Sequence, residues 1–109
     1  MGRNSKDNSL TRYEEMLRIS VRYNEYISKP SFRIMFASIT RKPKTEAERY
    51  VFHVRNTLKE LDKEDKDILV NEFFSFNNNS FWWTKRYTKS TYYRKRYFAI
   101  KSFFERYAQ

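Results

Sequence analysis

The chain has 109 residues, enough for one domain with a modest core, and 39% of them are hydrophobic. Its net charge of +10 makes a polyanion the natural partner, without choosing between nucleic acid and an anionic membrane surface. With no Cys and a single Gly, at position 2, the sequence excludes disulfides, thiolate zinc sites, cysteine nucleophiles, a P-loop and a GxGxxG phosphate cradle.

No apolar run reaches the roughly 18 residues that span a bilayer, and no signal-peptide core follows the start, so a cytoplasmic protein without a membrane partner is expected. Ten Phe, nine Tyr and two Trp let few residues bury much apolar area, although an AT-rich gene raises Phe, Tyr, Asn, Lys and Ile together.

Residues 1–9 are polar and read as a flexible arm, in which Arg3 and Lys6 could touch a phosphate backbone. Residues 10–44 read as an N-terminal helical extension. Leu10, Tyr13, Leu17, Val21 and Asn24 or Ile27 approximate one face of a helix that Pro30 stops. The apolar segment Ser31–Thr40 has no decisive period and is taken as helix, since no partner strand is evident. Pro43 lies in a linker, Arg41–Lys44.

Residues 45–109 form the third unit. Thr45 and Glu48 fit a capping box, and Ala47, Val51, Val54, Leu58 and Leu61 make a regular core stripe. Asp62 is placed to cap the next helix, with Glu64, Asp65 and Asp67 near its positive end. Ile68, Leu69, Phe73 and Phe76 are its expected buried face, and Asn77–Asn79 its closing turn. The pattern gives four or five helices and no convincing strand, hence a small all-α fold.

The most informative stretch is Ser80–Phe104, which reads as a short aromatic helix, a tight turn and a second helix with one cationic side. That order is the sequence form of a helix-turn-helix, whose second helix enters the DNA major groove. Thr88 is a better cap than Ser90, because the fourth residue after it is then Tyr92 rather than Arg94. Tyr92, Ala99, Ile100, Phe103 and Tyr107 fall on one face, and Ser90, Thr91, Arg94, Phe98, Lys101 and Glu105 on the other. Lys95 lies at one edge, Tyr93 and Tyr97 toward the other, and Arg96 near the apolar side.

Ser90, Thr91, Tyr93 and Arg94 are accordingly the candidate base contacts, with Arg94 suited to bidentate bonding with guanine. Lys85, Arg86, Lys89, Lys95 and Lys101 are the candidate phosphate contacts. One of Trp82 and Trp83 should fill the core between the two helices and the other should stand exposed; the sequence does not say which. His53, the only histidine, is expected at the surface or boundary, and no residue is assigned to catalysis, a cofactor or a metal. Met16 and Met35 are read as core fillers.

The run Leu58–Leu69 resembles the opening of sigma-70 region 4 domains. Thr88-Lys89-Ser90-Thr91-Tyr92-Tyr93-Arg94, followed by Ala99-Ile100 and Phe103, resembles their DNA-reading helix. The wording is closer still to phage late-transcription regulators of the ArpU/RinA type, over about Val54–Tyr107. This sequence departs from the family in three ways: Arg86 and Tyr87 occupy the turn, Trp82 stands where Ala is usual, and Lys85 stands where Leu would point inward. The resemblance implies a sequence-specific double-stranded DNA-binding transcription regulator, nucleoid-associated, with RNA polymerase as a further partner. The N-terminal extension would pack on this domain or mediate a homodimer. The competing expectations are an adaptor that binds polymerase or a phage protein, and a charge-driven RNA-binding protein.

Overall fold

The structure, a computed structural model, describes residues 5–29, 45–75 and 80–108. Among these residues there are four α-helices and no strand: α1 (Ser5–Ser28), α2 (Glu46–Lys59), α3 (Lys63–Leu69) and α4 (Lys89–Tyr107). A π-helical turn, Val70–Phe74, prolongs α3, and a 3-10 turn spans Trp82–Lys85. The all-α fold read from the sequence is the one observed. The expectations for Ser31–Thr40, Met35, the Arg41–Lys44 linker, Phe76, Asn77–Asn79 and the side chains of Arg3, Lys6 and Leu10 lie outside the described residues.

The helix α4 packs against α1, α2 and α3, most extensively against α3. Its inward side carries Tyr92, Ala99, Ile100, Phe103 and Phe104, all buried. Phe104 joins the face laid out from the sequence, and Tyr107 is only partly buried. Val51, Val54, Leu58 and Leu61 of the α2 stripe meet them, with Ile68, Leu69 and Phe73 closing the other side. The capping box forms: Glu48 N–H donates to Thr45 Oγ1 at 3.0 Å and Thr45 N–H to Glu48 Oε1 at 3.2 Å. Asp62 holds the N-cap position of α3, but its side chain makes no capping bond.

Two expectations about α1 change. The helix begins at Ser5, so residues 5–9 are helical where a flexible arm was expected. Its buried face is also rotated. Met16, Ser20 and Tyr23 are buried, with Tyr13, Ile19, Tyr26 and Ile27 packed beside them, while Leu17 and Val21 are about half exposed. Ser20 hid this register, since a serine interrupts an apolar stripe. It is tolerated inside because its hydroxyl donates to Leu17 O at 2.8 Å within the same helix.

Aromatic edges then fix α1 on its neighbours. Tyr13 meets Phe73 and Tyr23 meets Phe74, each at 5.3 Å between ring centroids, and Tyr26 meets Tyr50 at 5.6 Å. The described part of the N-terminal extension therefore shares the core of the third unit. His53 is exposed and its Nε2 lies 2.7 Å from Tyr107 O; a carbonyl only accepts, so the ring donates. That bond satisfies one of the orphan carbonyls at the end of α4.

Candidate nucleic-acid interface

The outer side of α4 begins at Thr88, whose hydroxyl accepts from Thr91 N–H at 3.4 Å. Thr88, and not Ser90, is the cap, and Tyr92 is accordingly fully buried. Ser90, Tyr93, Arg94 and Lys101 are exposed, and so is Phe98, at 51%. Thr91 is half-buried and its Oγ1 accepts from the Thr88 hydroxyl at 2.9 Å, which leaves it less available outward than Ser90.

The first element of the expected helix-turn-helix differs from the sequence reading. It is a single 3-10 turn of four residues rather than a short α-helix. Runs of this kind are short because their hydrogen-bond geometry is poorer. Aromatic packing holds this one. Trp83 is the buried tryptophan and stacks on Tyr92 at 4.6 Å with 3° between planes. Trp82 is half-buried and meets the same ring edge-on at 5.6 Å. Lys85, where the sequence resemblance set an inward Leu, is exposed. Trp83 supplies the buried side chain that Lys85 does not.

Glu72, on the π turn, is where the polar bonds behind α4 converge. It accepts from Tyr92 Oη–H at 2.5 Å and from Trp82 Nε1–H at 3.4 Å, and Arg96 lies 3.5 Å from it. Burial first, and then the bond to Glu72, push the Tyr92 phenol far above its ordinary value, so it remains a donor. Arg96 also lies over the rings of Tyr13 and Tyr93, 4.6 Å from each centroid. Each such contact contributes about 0.5–2 kcal/mol when partly desolvated. Arg96 is thus clamped between α1 and α4 rather than extended to solvent, a role its place near the apolar side only hinted at.

The π turn explains how Glu72 reaches α4. Asn71 Nδ2 donates to Asp67 O at 2.9 Å, the carbonyl a regular helix reserves for Asn71 N–H. Ser75 N–H then reaches back five residues to Val70 O at 2.8 Å. The wider turn carries Phe73 into the core and Glu72 to Tyr92. No motif in the sequence announces this.

Two candidate phosphate contacts are already paired. Arg86 Nη1 lies 2.6 Å from Asp67 Oδ2, and Lys95 Nζ lies 3.2 Å from Glu64 Oε1. Tyr87 Oη–H donates to the other Glu64 oxygen at 2.9 Å. The Tyr87 and Lys95 bonds, in that order, hold the Glu64 carboxyl below the usual range. Burial and the neighbouring Asp62 and Glu64 charges instead push Asp65 upward. Glu64 and Asp67 therefore hold α4 and the turn before it. Lys85, Lys89, Arg94 and Lys101 make no ion pair with any described residue.

The structure thus brings Ser90, Arg94 and Lys101 onto one outward stripe, sets Tyr93 at its edge, and turns Lys95 and Arg86 toward α3. Among the described residues, no helix is long and apolar enough to cross a membrane. No family model, no curated protein and no solved structure matches the chain.

Proposed function

We propose that the chain binds double-stranded DNA sequence-specifically, as a transcription regulator with α4 as its recognition helix, in a sigma-70 region 4-like arrangement whose first helix is reduced to the 3-10 turn Trp82–Lys85. The observation that carries this reading is the asymmetry of α4. One side is pinned by Trp83, Glu72 and the apolar core, and the other exposes Ser90, Arg94 and Lys101, with no ion pair to either cation among the described residues. From Ser90 to Lys101 the stripe runs about 16 Å, a span that fits within a major groove. In this reading Ser90, Tyr93 and Arg94 face base edges, and Thr91 is the weakest of the four proposed base contacts. Lys85, Lys89 and Lys101 grip phosphate, while Arg86 and Lys95 do so only by leaving Asp67 and Glu64.

Selection from a random duplex library tests the proposal. A motif should emerge, and Arg94→Ala should relax one position of it by about 1–3 kcal/mol. Affinity should fall with salt, but preference over random competitor should persist. Selection without a motif overturns the site-specific reading. A second reading, an adaptor for RNA polymerase or a phage protein, is favoured by Leu17 and Val21, which stand exposed on α1 away from the buried face. An adaptor would keep its protein partner after Arg94→Ala and lose it after Leu17→Asp.

A further inference from the structure

The outer stripe of α4 contains one side chain that neither phosphate gripping nor hydrogen-bonded base reading accounts for. Phe98 lies one helical turn beyond Arg94 and three residues before Lys101, is 51% exposed, and cannot form a hydrogen bond. Tyr97 stands beside it at 41% exposure, their rings edge to face at 5.2 Å. An apolar ring flanked by two cations that make no ion pair with any described residue is carried to a polyanion by its neighbours, and there it needs apolar surface. The edge of a base pair in the major groove offers one apolar group, the C5 methyl of thymine.

We infer that Phe98, supported by Tyr97, reads thymine methyl groups, so that the duplex this helix prefers carries thymine opposite the third turn of α4. The inference rests on the proposal that α4 lies in the major groove. Position favours methyl contact over stacking on unpaired bases: Phe98 shares the stripe of Ser90 and Arg94, which the duplex reading sets against base edges.

The test uses an alternating dA–dT duplex, the same duplex with deoxyuridine replacing thymidine, and single-stranded oligo-dT, each titrated at one salt concentration. Loss of the methyl groups should weaken the wild-type chain roughly three- to fivefold per contacted methyl, the equivalent of about one buried carbon. Phe98→Ala should bind both duplexes and lose most of that difference, and Tyr97→Ala should reduce it. Both side chains are substantially exposed, so these variants should retain the helical circular dichroism of the parent. Replacing cytosine by 5-methylcytosine in a dG–dC duplex should strengthen wild-type binding. Equal wild-type affinity for the thymidine and uridine duplexes overturns the inference while leaving the duplex reader intact. So does a full difference retained by Phe98→Ala. Preference for oligo-dT, or binding to no nucleic acid at all, overturns the duplex reading itself.

Discussion

The two halves of α4 are held in different ways. From Ala99 to Phe104 the helix is anchored by apolar side chains that meet the α2 stripe, and beyond them His53 donates to Tyr107 O and Arg106 to Glu60 O. From Thr88 to Arg96 it is anchored directionally: Tyr92 stacks on Trp83 and donates to Glu72, Arg96 pairs with Glu72, and Lys95 pairs with Glu64. Apolar packing resists separation, whereas directional bonds resist rotation. The half that presents Ser90 and Arg94 is the half whose buried ring, Tyr92, is fixed by both a stack and a hydrogen bond, as a base-reading surface requires.

Core truncation should have the largest effect. Phe103→Ala, at a fully buried ring, should cost about 3–5 kcal/mol in thermal or denaturant unfolding. Next comes Tyr92→Phe, which keeps the Trp83 stack but removes the O–H that Glu72 accepts. It should cost about 1.5–3 kcal/mol, the range for hydrogen bonds to charged groups. If the Phe variant matched the parent, the directional account of this half would be wrong and stacking alone would hold it.

The surface ties should count for less. Glu64→Gln weakens the bonds to Tyr87 and Lys95 and should cost at most about 1 kcal/mol, measured by chemical denaturation at neutral pH. Because the folded-state value of Glu64 lies below its unfolded one, its contribution is present at neutral pH. It is lost as pH falls through the lowered value. Asp65 runs the other way, since burial raises it: its charge opposes folding at neutral pH and is relieved by protonation. Asp65→Asn should therefore raise the melting temperature slightly, with the gain vanishing in acid. The smallest stability effect belongs to Arg94→Ala. Removing an exposed cation that pairs with no described residue should change unfolding free energy by less than about 0.5 kcal/mol, even as it removes duplex discrimination. A large destabilisation there would tie the proposed reading face to folding rather than to a ligand.

Local rules made several elements legible in advance. A capping box at Thr45, a stripe from Val51 to Leu61 and a cap at Thr88 followed by a buried Tyr92 are decided within a few residues of chain, so period and capping chemistry suffice. The outward placement of Ser90, Tyr93 and Arg94 was legible for the same reason, since the position of Thr88 sets which residues of α4 face outward. The register of α1 was not, because Leu17 and Val21 compete with a face that contains Ser20, and only the neighbouring aromatics select between them.

The all-α architecture and the inner and outer sides of α4 were thus determined by sequence alone, through helical period and caps. Tertiary structure decided which tryptophan is buried, that the first element of the turn is a 3-10 turn, and that Glu72 gathers Tyr92, Trp82 and Arg96 behind α4. It also decided that Arg86 and Lys95 are paired while Arg94 and Lys101 make no ion pair with any described residue. The physical reason is distance along the chain. These partners lie 10 to 31 residues apart, all of them beyond one helical turn, and meet only after α3, the π turn and α4 have packed.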